Sequence, residues 1–151
     1  MWRQGVLLFG VVLLGCMENA KQMPVPRAET LYHRLGGEPG IAKIVDDFVA
    51  HVVDDPDIRD VHKKHFMEGD VAGLKRKLID QIGEASGGPH KYTGKNMKDA
   101  HQGLAITNAD FDALVNDVAK ALDDNGILAQ DKKTILDLLE TMRADVVEKL
   151  D

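Results

Sequence analysis

One histidine in this chain stands where a metal ligand could be held. Residues 87–94 read Gly-Gly-Pro-His-Lys-Tyr-Thr-Gly, and after a short polar gap a second stretch, 97–103, contains His101. A new helix start follows at 106–108. This spacing predicts that His101 ends a very short helix between two amphipathic ones, which suits an axial ligand to a metal ion. A histidine near a helix end also commonly contacts the last carbonyls or solvent, so both interpretations stay open at this point.

The elements that must position this histidine are all predicted to be helices. Apolar residues recur at helical spacing, and no stretch alternates convincingly as a strand. After a short first helix that ends at 36–37, the predicted apolar stripes are Ile41, Ile44, Val45, Phe48 and Val52; Val71, Leu74, Leu78, Ile82 and Ala85; Phe111, Leu114, Val115, Val118 and Leu122; and Ile135, Leu138, Leu139, Met142, Val146 and Leu150. Asp70 and either Thr107 or Asn108 are predicted N-caps, and Gly126 is a predicted helix stop.

The composition is that of an ordinary globular domain without a basic surface. Hydrophobic residues make up 44% and charged residues 29% of the 151 residues, and the formal net charge is −6. An acidic chain without a basic stripe argues against a nucleic-acid partner, and the cluster at 75–77 is too short to reverse this. Cys16 is the single cysteine in the sequence, so no disulfide can form within the chain.

The N-terminal residues are predicted to be a targeting signal followed by a flexible tether. Residues 1–15 contain Arg3 and then an apolar run shorter than the roughly twenty residues that span a bilayer, which is typical of a signal peptide. The run ends in Leu-Leu-Gly before Cys16, which resembles the bacterial lipoprotein cleavage box. We favour lipidation of Cys16 over a plain secretory signal. Residues 16–28 would then be the lipidated cysteine and a flexible tether, and 29–151 a domain anchored in the bacterial cell envelope, periplasmic or otherwise extracytoplasmic.

From about Leu31 to the C-terminus the chain resembles the group one truncated haemoglobins, most densely between Leu74 and Phe111. The glycine pair at 87–88, the Tyr-Thr-Gly turn and the helix start after His101 carry the resemblance. It implies an all-α truncated globin, a two-over-two helical sandwich around a haem. The helices alone would also satisfy a four-helix bundle. We favour the globin because the passage between the third and fourth main helices is too long and too polar for a simple bundle loop.

The resemblance assigns a haem b pocket to particular residues. His101 falls on the proximal ligand of the iron, and Met97 and Phe111 would pack on the proximal side. Phe66 falls on the aromatic residue that the family packs against the haem ring, although an ordinary core phenylalanine would be buried in nearly the same way. The sequence has no Cys-x-x-Cys-His motif for covalent attachment, so the haem should be exchangeable.

The predicted distal side departs from the family pattern. Members with very high oxygen affinity carry a tyrosine where this chain has Val49 and a glutamine where it has Leu78, and Leu74 is apolar too. A hydrogen bond to the bound gas contributes about 1.5–3 kcal/mol, so its loss should weaken oxygen binding roughly ten- to a hundredfold. Gln81, on the same stripe, is a candidate replacement donor. Lys77 could pair with a propionate, stay solvated or ligate the iron when deprotonated; we favour the first two.

The passage 59–65 is longer than the corresponding family segment and contains His62 and His65. These histidines lie three residues apart and would share a helix face, so a transition metal or the distal haem site could use them. We favour the simpler interpretation, a solvated basic turn.

The resemblance implies a protein that binds oxygen or another diatomic gas such as nitric oxide. It also makes oxidation of nitric oxide to nitrate a candidate enzyme activity, which would need an electron donor from outside this small domain. Two alternatives stay open. One is a six-coordinate haem protein for electron transfer or sensing, with Lys77, His62 or His65 closing the distal side. The other is a haem-free helical lipoprotein that binds a partner protein.

Overall fold

The computed structural model describes residues 29–149. These residues form helices joined by short connections, and within this range no strand occurs beyond one isolated bridge between Thr107 and Lys149. The helices are α1 (Leu31–Arg34), α2 (Gly37–Asp54), α3 (Asp60–Met67), α4 (Val71–Ala85), α5 (Met97–His101), α6 (Asn108–Asp124), α7 (Ala129–Glu140) and α8 (Arg143–Val146). None of the helices described is long and apolar enough to cross a membrane. The predicted signal peptide and tether, and Leu150, lie outside the described residues.

Two pairs of long helices make up the domain, as the sequence predicts. Helix α2 packs against both α4 and α6, and α6 packs in turn against α7. The fully buried apolar side chains come mainly from α2 and α6, because both helices are covered on more than one side. The largest of them are Ile41, Val45, Val52 and Leu122. The all-α two-over-two prediction is therefore confirmed.

The caps that bound the fourth and sixth helices follow the predicted residues. Asp70 accepts a hydrogen bond from the Gly73 backbone N–H at 2.8 Å and so caps α4. Thr107, not Asn108, caps α6 through a reciprocal capping box with Asp110. At the end of α4, the Gly88 N–H donates to the Gly83 carbonyl while Gly87 takes a φ of 83°, which glycine adopts without strain.

Two predictions about helix extent are wrong. The passage predicted as a solvated turn contains α3, whose Phe66 ring meets Phe48 edge to face with centroids 5.8 Å apart. The last predicted helix is broken at 141–142 into α7 and α8. At this break Arg143 turns toward α6, where it pairs with Asp112 and lies 4.4 Å above the ring of Phe111. Tertiary contacts of this kind override the helical periodicity of the sequence.

An acidic pair is buried where the end of α2 meets α6. Asp117 is 0% exposed, its Oδ2 atom has no hydrogen-bond partner among the described residues, and its Oδ1 atom accepts from Lys120 at 2.8 Å. Burial and the charge of Asp55, which together outweigh Lys120, raise the pKa of Asp117. By contrast, the Asp57 N–H, the neighbouring Asp117 and Lys120 lower the pKa of Asp55 in spite of its burial.

We expect Asp117→Asn to stabilise the protein at neutral pH by about 1 kcal/mol, because it removes a charge that is buried without full compensation. Since folding raises this pKa above its ordinary value of 3.8, wild-type stability should fall as pH rises through the raised value, and the variant should lose that dependence. Chemical denaturation at a series of pH values measures both effects.

Asp55→Asn is the matched control and should act in the opposite direction. Asp55 accepts the Asp57 N–H at 2.8 Å in its charged form, so neutralising it should destabilise the protein at neutral pH. A stability gain in both variants would contradict the assignment of the unfavourable charge to Asp117.

Candidate haem-binding site

The centre of the site is His101, the last residue of the five-residue helix α5. Asn96 begins this helix by accepting the Asp99 N–H at 2.8 Å. At its other end, Nδ1 of His101 lies 2.7 Å from the Met97 carbonyl oxygen and donates its proton there. Nε2 has no hydrogen-bond partner among residues 29–149. A histidine held in this way keeps the Nε2 lone pair for a metal, which is how protein ligands to iron are usually oriented.

The connection that leads into α5 is fixed by a second histidine. His90 packs over Gly83 so closely that a Cβ at this glycine would collide with the imidazole ring. Its Nδ1 lies 3.2 Å from Asp80 and its Nε2 lies 3.3 Å from the Tyr32 hydroxyl. No partner pattern around His90 predicts these contacts, yet its side chain is only 10% exposed. It ties the glycine-rich passage to α4 and α1.

The predicted distal residues Val49, Leu74 and Leu78 lie on α2 and α4, and Phe66 lies on α3. Val49 is buried in the core at 7% exposure, and Leu78 and Phe66 are half-buried and pack against that core. Leu74 is also half-buried but is not part of the buried cluster. No side-chain hydrogen-bond donor stands at Val49, Leu74 or Leu78, so this wall is apolar, as the sequence indicates.

Gln81 connects α4 with the proximal helix. Its amide nitrogen lies 3.4 Å from the sulfur of Met97 and 3.5 Å from that of Met142. Thioethers are weak hydrogen-bond acceptors, so the Gln81 amide would lose little free energy by rotating toward a stronger acceptor. The structure thus brings Gln81 and Met97 together beside the turn of helix that holds His101.

Lys77 differs from the two basic residues before it. Lys75 pairs with Asp46 at 2.8 Å and Arg76 pairs with Glu38 at 3.4 Å. Lys77 is exposed and has no ion-pair partner in the described part of the chain. Its ammonium group is therefore available to an anion from outside the protein.

The two histidines of α3 have different surroundings. His65 is exposed, but His62 is 8% exposed, and its Nε2 lies 2.7 Å from Arg59 Nη2. Burial lowers the pKa of His62, and Asp110 only partly opposes this. The prediction of a solvated turn is wrong for His62 and correct for His65. No group of three potential metal ligands among His, Cys, Asp and Glu forms within 29–149.

A flat apolar group with anionic edges needs apolar surface that the core of the domain leaves partly uncovered. Apolar residues that are half-buried yet outside the core cluster include seven from four helices and their connections: Leu74, Met97, Leu104, Val115, Leu138, Leu139 and Met142. Covering such surface is favourable by about 25 cal/mol per Å². Phe111 is itself buried, with Arg143 over one face of its ring. A ring with an iron centre and anionic edge groups requires apolar surface, a free imidazole nitrogen and a cation, and the described residues include each of these.

A cleft of about 380 Å³ lies elsewhere, between α5 and the C-terminal segment, and is lined by Lys98, Asp99, Gln102, Ala144, Asp145, Val147 and Glu148. Met97 and His101 do not line it, and its charged walls do not suit a porphyrin.

A family model described as bacterial-like globin matches residues 30–148. The group 1 truncated hemoglobin of Tetrahymena pyriformis is 30% identical over 124 residues, which are 82% of this chain and 98% of the relative. Group 1 truncated hemoglobin GlbN of Nostoc sp. (strain MUN 8820) is 29% identical over 120 residues, covering 80% and 98%. The chain belongs to the bacterial-like globin family.

Solved structures agree with this assignment. The Fe(III) form of the Tetrahymena pyriformis truncated hemoglobin superposes with a TM-score of 0.71 at 30% identity, covering 80% of this chain and 100% of that one. The group II truncated hemoglobin of Bacillus anthracis, at 23% identity and a TM-score of 0.70, covers 83% and 95% and shares the fold.

Proposed function

We propose that this globin holds haem b through Nε2 of His101 and binds a diatomic gas at the apolar wall formed by Val49, Leu74 and Leu78. Membership of the globin family makes haem iron the cofactor and oxygen or another diatomic gas the ligand. The observation that carries the assignment is the His101 ring itself, with Nδ1 committed to Met97 and Nε2 free. When bound, haem supplies an open coordination position for the gas.

The protein's own residues orient the iron ligand, exclude water from the gas site and supply a positive charge for the haem propionates. His101 is oriented by the Met97 carbonyl, which also increases the basicity of the ligating nitrogen. Leu74, Leu78 and Val49 keep water from the gas but offer it no hydrogen bond. Lys77 supplies a positive charge for a propionate. We therefore propose weaker oxygen retention than in relatives with a polar distal wall.

Absorption spectroscopy of the full-length chain tests this proposal. Addition of haemin should produce a saturable Soret band, and reduction without added ligand should give a broad visible band, which indicates an open coordination position. Absence of a Soret band would contradict the proposal and favour a haem-free helical lipoprotein.

A six-coordinate haem protein is the second candidate, and the unpaired Lys77 is the observation that favours it. A deprotonated lysine can ligate iron, so sharp, split ferrous bands that broaden in Lys77→Ala would support this candidate. His62 is a poorer candidate ligand because its Nε2 already faces Arg59 at 2.7 Å. Split bands that persist in Lys77→Ala would indicate the exposed His65 as the sixth ligand.

Nitric oxide oxidation to nitrate is compatible with this site but requires an electron donor from outside the domain. Nitric oxide should then decay faster with the oxygenated protein than in buffer alone. The oxygenated protein should re-form only when a reductase is added. A protein that binds nitric oxide without forming nitrate would be a carrier or sensor.

We propose further that Cys16 is lipidated and anchors the domain in the cell envelope on the extracytoplasmic side. The support is the signal-like sequence before this single cysteine. In Cys16→Ser, the protein should move from the detergent-soluble membrane fraction to a soluble or unprocessed form, because two or more acyl chains supply most of the anchoring. Fractionation of bacterial cells measures this, and a variant that stays in the membrane like the wild type would contradict lipidation.

A further inference from the structure

The segment that follows His101 is held by the C-terminal residues of the described chain. Glu148 accepts the Gly103 N–H with Oε1 at 2.6 Å and the Ala105 N–H with Oε2 at 2.7 Å. The backbone N–H groups of Glu148 and Lys149 both donate to the Ile106 carbonyl, at 2.9 and 3.1 Å. The Gly103 and Ala105 N–H donors lower the pKa of Glu148, as expected for a carboxylate that accepts charge-assisted hydrogen bonds.

The residue between these contacts has a strained backbone. Ala105 has a φ of 53° and is the one residue other than glycine with a positive φ in the described range. Its N–H is held by Glu148, and its carbonyl accepts from Arg59 Nη2 at 2.8 Å. Arg59 is fixed in turn by Asp110 at 2.8 Å. A non-glycine residue in this region persists only where its surroundings determine it, and such residues concentrate at functional sites.

This held segment is joined directly to His101. The Leu104 N–H donates to the His101 carbonyl at 3.1 Å, so Gly103 and Ala105 flank the residue that closes the last turn of α5. Helix α5 packs chiefly against α8, and α8 leads within two residues to Glu148. Since α2, α4 and α6 provide little support for α5, its carbonyl end depends on Glu148 and Arg59.

We propose that Glu148 is a positioning residue for the haem ligand: its carboxylate holds Gly103 and Ala105 and thereby sets the orientation of His101 toward the iron. This inference rests on the proposed function, because it assigns the effect of Glu148 to the His101–iron bond. Loss of the carboxylate lets Ala105 leave its strained conformation and lets the end of α5 move.

The first experiment uses the haem-free full-length chain and is independent of gas binding. In Glu148→Gln, amide hydrogen exchange at Gly103 and Ala105 should accelerate about tenfold or more relative to the wild type, since one of two charge-assisted bonds is lost and the other weakened. Exchange rates in α2 and α6 should not change. Unchanged exchange at both amides would overturn the proposal.

The second experiment uses the haem-loaded protein. Resonance Raman spectra of the ferrous, unligated form should show the iron–histidine stretch at lower frequency in Glu148→Gln, and transfer of haem to an acceptor globin should be about tenfold faster. A wild type that takes up no haem would refute the proposed function alone. A wild type ligated by His101 whose variant keeps both the frequency and the transfer rate would refute this inference alone.

Asp145→Asn is the matched control, because Asp145 lines the same cleft but makes no side-chain hydrogen bond to residues 103–106. It should leave the exchange rates and the Raman frequency at wild-type values. An effect equal to that of Glu148→Gln would mean a general loosening of α8 and would overturn the proposal.

Glu148→Asp, which keeps the charge on a side chain too short to reach both amides, should give exchange rates and a Raman frequency between those of the wild type and Glu148→Gln. If Glu148→Gln does not fold, the comparison of Glu148→Asp with the wild type decides, and identity between them overturns the inference.

Discussion

His101→Ala is expected to lower haem affinity by roughly a hundredfold or more, because changes even to the groups that support a metal ligand lower affinity by about 10–100-fold. The alanine removes the free Nε2, while the Met97 carbonyl that held the ring is left to solvent. Absorption spectra in both oxidation states, together with haemin titration, measure the loss. Any residual haem should lack the normal spectrum of a histidine-ligated iron.

His33→Ala provides the control for this experiment. His33 is an exposed histidine on α1 whose Nδ1 lies 2.8 Å from the Thr30 hydroxyl, so its removal should leave haem affinity and the ferrous spectrum unchanged. Equal loss of haem from both variants, or full retention of the wild-type spectrum in His101→Ala, would be incompatible with His101 as the proximal ligand.

Leu78→Gln is expected to slow oxygen dissociation about ten- to a hundredfold. Leu78 lies half-buried on α4 beside an apolar wall, and an amide at this position would donate to the bound gas. Such a bond is worth about 1.5–3 kcal/mol when the acceptor carries charge. Stopped-flow measurement of oxygen release, with carbon monoxide as the competing ligand, gives the rate directly.

Leu78→Met separates the hydrogen bond from changes in packing. Methionine has nearly the volume of leucine and no donor, so the oxygen dissociation rate should stay within a factor of about two of the wild type. An equal slowing in both variants would mean that access, not hydrogen bonding, limits oxygen release. An unchanged oxygen dissociation rate in Leu78→Gln would mean that another residue lies beside the gas, and Gln81 would be the first candidate.

The helices were predictable because their signals are local. Asp70 and Thr107 are caps that act on residues within one turn, and the apolar stripe of α2 repeats at the helical period. His101 at the end of a short helix could also be predicted, since glycines and a capping residue bracket it. Its role as ligand came from the family resemblance, because spacing alone is compatible with a solvated histidine.

The residues that the sequence did not reveal act over long separations. Glu148 holds Gly103 and Ala105 from more than forty residues away, and an acidic residue near a helix end ordinarily indicates a solvated position. The same holds for His90, which packs on Gly83, and for Arg59, which donates to the Ala105 carbonyl. Neither Gly83 nor Ala105 indicates from the sequence which side chain it contacts. The break between α7 and α8 also depends on tertiary contacts of Arg143, which periodicity does not encode.

The weak attachment of α5 to the long helices has a consequence for how the protein matures. The fully buried apolar residues lie on α2 and α6 and in their immediate surroundings, and α5 contributes none of them. Removal of haem should therefore loosen α5 itself, while Glu148 still holds Gly103 and Ala105 and the rest of the domain stays folded. The polypeptide can complete its folding first and receive its cofactor afterwards through the side that α5 covers.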